Sequence, residues 1–161
     1  MPGRLGYEPW ARELSCVDLS ISIINWNTRD VLADCLESIY NTTGSSLDFE
    51  VIVVDNASSD GSAEMVREKY PQVLLMPNDC NLGFAVANNQ AYALSAGRHF
   101  LLLNPDTVCL PGALARLVGF LDENSEVGAV GPLVLNPDRT LQYSWARFPT
   151  VMGEALGKLD R

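Results

Sequence analysis

Val51-Ile52-Val53-Val54-Asp55-Asn56-Ala57-Ser58-Ser59-Asp60-Gly61-Ser62 packs an apolar run, an abrupt acidic end and a small polar loop into one short stretch. Four consecutive β-branched residues predict a strand covered on both faces, and such strands belong mostly to parallel sheets flanked by helices. In open sheets of that kind, ligands bind in the crevice beyond the carboxyl ends of the strands. Asp55 is therefore expected on the rim of a pocket. The plainer alternative is that Asp55 and Asp60 only shape a turn and cap a helix, as Asp, Asn and Ser often do.

The flanking sequence repeats the same strand-then-helix grammar. Upstream, 19–25 reads as a strand, and Asn27 or Thr28 can cap a helix to about Tyr40 with Val31, Leu32, Cys35, Leu36 and Ile39 on one stripe. Downstream, Asp60 can cap a helix over 62–70 that Pro71 closes. A short strand over 73–76, a polar loop over 78–83 and an alanine-rich helix over 84–95 follow, with Gly97 as a stop. A fourth strand is expected over 99–104. Pro111 then suits the first turn of a helix whose Leu114, Leu117, Val118 and Leu121 face inward. Residues 127–135 read as a fifth strand and 140–143 as its hairpin partner across the Asn136-Pro137-Asp138-Arg139 turn; from Arg147 the pattern fades, and after Phe148-Pro149-Thr150 one short helical segment runs to Arg161. Four strand-helix units in succession predict an α/β fold with right-handed crossovers and a mostly parallel sheet.

Composition narrows the partners. The chain has 161 residues, is 47% hydrophobic and 19% charged, and suits one domain with a substantial core. Eleven basic against twenty acidic residues give a formal charge of -9, with no Lys/Arg cluster, so nucleic acid is not an expected partner. The same balance repels a phosphate ester unless a cation or helix N-termini intervene, which makes a divalent metal a physical expectation. Cys16, Cys35, Cys80 and Cys109 are widely spaced without nearby histidines, which suggests neither a zinc site nor a disulfide scaffold. His99, the single histidine, has no evident chemical partner in the sequence. No transmembrane segment or signal peptide is legible, and the default expectation is a cytoplasmic location.

Three expected strand ends carry polar clusters: Asn25-Trp26-Asn27, Asp55-Asn56 and Asn104-Pro105-Asp106-Thr107. Each alone is compatible with turn chemistry. Strands of one parallel sheet end on one side, however, so the three are expected to line a common crevice. Asp106, two residues past an apolar strand, suits a hard cation such as Mg²⁺ or Mn²⁺ held between it and phosphate oxygens. One carboxylate makes a weak metal site unless the ligand supplies the remaining oxygens, so metal and nucleotide are expected to bind together. Asn81-Leu82-Gly83-Phe84, followed by Asn88-Asn89, puts a glycine at a helix entrance where backbone can approach a ligand.

Taken in order, Ser22-Ile23-Ile24-Asn25-Trp26-Asn27, Val53 to Ser62, Asn81-Leu82-Gly83-Phe84 with Asn88-Asn89, and Leu102-Leu103-Asn104-Pro105-Asp106 resemble the successive motifs of inverting family-2 glycosyltransferases, in particular their bacterial rhamnosyltransferase-like branch. The resemblance covers residues 18–150. It implies a Rossmann-like GT-A fold, a nucleotide-diphosphate sugar donor (a dTDP- or UDP-sugar), a divalent cation, and a saccharide or lipid-linked acceptor, which would bring the site to the inner face of a membrane. Carried over by position, Asn25 and Asn27 would border base and ribose, Asp55 would accept a hydrogen bond from the pyrimidine ring N–H, and Trp26 and Asn56 would belong to the same nucleotide-sugar site. Gly83, Phe84 and Asn88 would lie along the ribose and sugar-phosphate. Asp106 would be the metal-binding carboxylate of the D-x-D motif, with Asn104 at the position often held by its first Asp.

The resemblance also implies a catalytic base and an acceptor-binding region well past that motif. Only Glu154 and Asp160 follow the hairpin, neither in an acidic pair, so no catalytic base is assigned. The expected organisation is a lead-in over 1–17, a nucleotide-sugar-binding domain over 18–150, and the start of an acceptor region over 151–161, with the fold truncated on its C-terminal side. A competing reading is a non-catalytic domain that only binds nucleotide sugar. A haloacid-dehalogenase-like phosphatase fits less well, because an Asn104 amide cannot form the aspartyl phosphate its mechanism requires. A nicotinamide-binding domain would need a glycine-rich loop after the first strand, where Asn25 to Arg29 offers no glycine.

Overall fold

A computed structural model of the chain describes residues 17–44 and 47–142. Eight elements alternate: β1 (Leu19–Asn25), α1 (Arg29–Thr43), β2 (Phe49–Asp55), α2 (Ser62–Lys69), β3 (Leu74–Pro77), α3 (Phe84–Leu94), β4 (His99–Leu103) and α4 (Ala113–Glu123). The four strands form one parallel sheet in the order β3-β2-β1-β4. The chain first builds outward from β1 to β3, then crosses back through α3 to place β4 on the other side of β1. The order thus reverses at β1, the place where such sheets open a crevice.

The apolar run that predicted a doubly covered strand is covered on both sides. Val51 and Val53 face one core with Ile21 and Ile23 of β1, Leu32, Cys35, Leu36 and Ile39 of α1, Met65 and Val66 of α2, and Leu114 and Val118 of α4. Ile52 and Val54 face a smaller core with Ile24 and with Ala87 and Ala91 of α3. Alanines on that helix face let it lie close to the sheet. Gly97 serves a related need where α3 turns into β4: a Cβ there would stand 2.5 Å from the Ser20 backbone nitrogen. Its N–H instead donates to Ser20 Oγ at 2.8 Å.

Several local expectations change. Residues 127–135 pair with no strand of the sheet. Gly128, Gly131 and Pro132 interrupt the run, and proline removes a ladder donor. Thr28 is the N-cap of α1 but makes no side-chain cap bond; its hydroxyl is turned to Asn25, and the helix N-terminus is capped from β2's loop instead, where Arg29 N–H donates to Asp60 Oδ2 at 2.9 Å. Asp60 Oδ1 also accepts from Ser62 N–H at 3.0 Å, so one carboxylate caps both α1 and α2. Pro111 lies ahead of α4, whose N-cap is Gly112 at φ 75°.

A second compact unit begins at Val130. Its described part contains the expected hairpin in minimal form, an antiparallel bridge between Leu135 and Leu141 closed over a turn in which Arg139 N–H donates to Asn136 O at 2.8 Å. Tyr143, the expected helical segment and residues 1–16 of the 1–17 lead-in lie outside the described residues. Among the described residues, no helix is long and apolar enough to cross a membrane.

Candidate functional site

The strand register aligns Asn25 with Asp55 and Asp55 with Pro77, so β1, β2 and β3 end level with one another. At this edge Asp55 is 3% exposed and Asn25 is fully buried. A carboxylate in such a place needs donors. Asn25 Nδ2 donates to Asp55 Oδ1 at 2.7 Å, and Ser58 N–H donates to Asp55 Oδ2 at 2.9 Å. The same Asn25 amide reaches Ser58 Oγ at 3.0 Å, while Thr28 Oγ1 donates to Asn25 Oδ1 at 2.6 Å. Each Asp55 oxygen holds one donor, and a carboxylate accommodates about four, so acceptor capacity remains for a ligand N–H.

Asn27 closes the arrangement from β1. Its backbone sits in the left-handed region at φ 55°, its N–H donates to Ser58 Oγ at 2.9 Å, and its Oδ1 accepts from Ser59 N–H at 2.8 Å. Asparagine tolerates this conformation better than most residues. The loops after β1 and β2 are thereby stitched into one rim. Asn27, Thr28, Arg29, Asp30, Val31 and Asp60 line an open depression of about 420 Å³ beside it. Although burial works against its charge, the Asp60 carboxyl is held below its ordinary value by the Ser62 hydroxyl and by the Arg29 and Ser62 N–H groups.

A second set of amides supports the rim from below. Asn56, 2% exposed, accepts at Oδ1 from Asn78 Nδ2 at 2.9 Å. Asn78 and Gln90 of α3 exchange two bonds of 3.0 Å each, and Asn78 N–H donates to Asp55 O at 2.8 Å. Sequence reading missed Ser58, Asn78 and Gln90 as supports. Asn78 had the same signal as Asp55, a polar residue just past a strand; Gln90 had none.

The remaining expected site residues divide into two groups. Trp26 and Phe84 expose 56% and 55% of their surface, which leaves both rings free to stack on a ligand. Gly83 has φ 78°, open only to glycine without strain, and its N–H is taken by Asn81 Oδ1 at 2.9 Å. Asn88 is 8% exposed and lies between α3 and the sheet: its Oδ1 accepts from Ser22 Oγ at 2.8 Å and its Nδ2 donates to Phe84 O at 3.0 Å. It thus fastens the helix that carries Phe84 to β1.

Past β4, Asn104 and Asp106 are both exposed, on a turn in which Thr107 N–H donates to Asn104 O at 3.2 Å. The Asp106 carboxylate has no hydrogen bond or ion pair among the described residues. No group of three His, Cys, Asp or Glu side chains among them could hold a metal by itself. These residues fit a hard cation whose coordination is completed by a ligand's own oxygens, with Asp106 as the anionic donor and the Asn104 amide oxygen as a neutral one.

Fold and crevice define an α/β domain with a polar rim at the switch point of a parallel sheet. The family model for glycosyl transferase family 2 matches residues 20–160, and the chain belongs to that family. Over 113 residues it is 30% identical to an N-acetylglucosaminyl-diphospho-decaprenol L-rhamnosyltransferase of Mycobacterium tuberculosis, covering 63% of this chain and 37% of the relative. Over 119 residues it is 31% identical to a poly(ribitol-phosphate) beta-glucosyltransferase of Bacillus spizizenii, covering 71% of this chain and 19% of the relative. The chain thus spans well under half the length of either relative. Among solved structures it superposes with a TM-score of 0.60 and 24% identity on a mannosyltransferase from Pyrobaculum calidifontis in complex with GDP-Man and Mn²⁺, over 75% of this chain and 36% of that one. It superposes with a TM-score of 0.61 and 22% identity on S. aureus TarS in complex with UDP, over 67% and 33%. The expected GT-A fold is therefore borne out.

Proposed function

We propose that this chain forms the donor-binding part of an inverting, metal-assisted glycosyltransferase that takes a sugar from a pyrimidine nucleotide-diphosphate donor, a UDP- or dTDP-sugar, to a saccharide or lipid-linked acceptor. The observation that carries this reading is the clamped Asp55 carboxylate at the crevice edge, oriented by Asn25 and Ser58 with acceptor capacity to spare. A pyrimidine ring N–H is the group it would read, with Trp26 and Phe84 available as stacking faces and Asn56 beside it.

A divalent cation, Mg²⁺ or Mn²⁺, would be held by Asp106 with Asn104 near it, and supplies charge neutralisation of the leaving diphosphate when bound. The chain's own residues bind and orient the donor. Single-displacement inversion also needs a base within hydrogen-bond reach of the acceptor hydroxyl, and none is assigned here. The relatives' acceptor classes, a diphospho-decaprenol-linked sugar and a poly(ribitol phosphate), support a cell-wall saccharide or lipid-linked acceptor, met at the inner face of a membrane.

Calorimetric titration of UDP, dTDP and GDP with and without Mn²⁺ tests this directly. Tighter binding of the pyrimidine diphosphates, strengthened by Mn²⁺, is expected. Asp55→Ala should weaken pyrimidine nucleotides with or without metal, and Asp106→Ala should chiefly remove the response to Mn²⁺. Equal losses from both changes in metal-free binding would contradict the assigned roles.

A further inference from the structure

The loop that carries Asn104 and Asp106 is held by side chains of α1 that no part of the donor-site reading uses. Cys35 Sγ donates to Asn104 O at 3.8 Å, at the loop's first residue. The Thr107 backbone N–H lies against the same sulfur. Three residues past Asp106, Cys109 N–H donates to Ser38 Oγ at 2.9 Å, and the Ser38 hydroxyl donates in turn to Cys35 O at 2.7 Å. Cys35 and Ser38 are one helical turn apart and share a face of α1. The loop is therefore pinned on both sides of Asp106, while the Asp106 side chain itself is exposed and unbonded among the described residues.

From these contacts we infer that Ser38 and Cys35 are positioning residues, which fix the backbone of 104–109 so that Asp106 is presented to the cation of a bound nucleotide diphosphate. The inference rests on the donor-site reading. A single exposed carboxylate holds a metal poorly when its backbone wanders, and supports that orient metal ligands commonly matter about 10-fold to 100-fold in metal affinity. Both pins suit the task. Ser38 satisfies the N–H of Cys109, a residue only 6% exposed, which would otherwise be left without a partner. Cys35, itself fully buried in α1, meets the Asn104 carbonyl at the start of the same turn.

The test compares UDP affinity, measured by calorimetry with and without Mn²⁺, for the intact chain and for Ser38→Ala, Ser38→Thr and Cys35→Ala, with thermal melts to establish that each is folded. The expected result is that Ser38→Ala and Cys35→Ala each lose about 10-fold of the affinity gained from Mn²⁺. Metal-free UDP affinity should stay within about 2-fold in both, because Asp55 and its partners lie on other loops. Ser38→Thr keeps the hydroxyl and should restore most of the gain. An intact chain whose UDP affinity ignores Mn²⁺ overturns the donor-site reading and this inference with it. A responsive intact chain whose alanine variants respond equally, or lose metal-free and metal-dependent affinity in parallel, overturns the inference alone.

Discussion

Replacing Asn25 by Ala removes one side chain and disturbs two loops, those after β1 and β2. Asn25 is fully buried and makes three side-chain bonds: to the Asp55 carboxylate, to Ser58 Oγ and from Thr28 Oγ1. The first is a bond to an ionised group in a place that is 3% exposed, where water substitutes poorly, and is worth about 1.5–3 kcal/mol. The other two are neutral, at about 0.5–1.5 kcal/mol each, and their partners are partly accessible to water. A net loss of about 3 kcal/mol follows, a large share of the roughly 5–15 kcal/mol by which domains are stable. For a domain of this size that lowers the melting temperature by about 10 °C.

Binding should fall as well, because Asp55 would no longer be held ready. Loss of about 1.4 kcal/mol of orientation is a 10-fold weaker metal-free affinity for UDP. Differential scanning calorimetry and UDP titration on the same preparations measure the two effects. A variant that melts within about 2 °C of the unsubstituted chain, or that melts lower yet binds UDP undiminished, would refute the view that Asn25 orients Asp55.

Two further outcomes concern the scaffold. Gly97→Ala drives a Cβ to 2.5 Å from the Ser20 nitrogen and 2.9 Å from the Leu19 carbonyl carbon, neither of which can rotate away. A loss of about 1–3 kcal/mol in urea unfolding is expected, and an unchanged midpoint would show that the α3–β4 turn is looser than its contacts imply. Asp60 supplies the acid-side prediction. Its folded pKa lies below its ordinary 3.8, so its contribution is fully present above that pH and is lost as pH falls toward the folded value. The stability gap between the unsubstituted chain and Asp60→Asn should therefore be constant from pH 7 to about 5 and close below about 4. A gap that widens in acid contradicts the capping role.

The fold was legible wherever periodicity and burial agree. Val51 to Val54 needed cover on both faces, and α1 with α2 on one side and α3 on the other supply it. Residues 127–135 misled for the opposite reason. Apolar composition alone does not provide a partner edge, and Gly128, Gly131 and Pro132 weaken any ladder. At the crevice edge, the polar residues past β1 and β2 converge as parallel strand ends predict, with Asn27 and Asp55 on one rim. The sequence could not show that Asn25 and Asn88 spend their amides inside the protein, since hydrogen bonds over 30 and 66 residues are products of packing. Thr28 stands at the N-cap as expected, but its hydroxyl had two uses, and the buried Asn25 oxygen took it from the helix end.

Charge ties the two halves of the donor reading together. A chain of net charge -9 presents its Asp55 rim to a ligand whose diphosphate is itself anionic. Metal-free UDP binding is then opposed by repulsion that salt screens, whereas binding through Mn²⁺ gains from an attraction that salt weakens. Raising ionic strength from about 10 mM to about 150 mM shortens the screening length from about 30 Å to about 8 Å. Metal-free UDP affinity is expected to rise about 2-fold to 3-fold over that range, and the additional affinity from Mn²⁺ to shrink. Opposite signs from one salt series are hard to obtain any other way. If metal-free binding weakened with salt instead, the phosphates would be meeting a locally positive surface such as the N-terminus of α3, and the need for a cation at Asp106 would lose its physical ground.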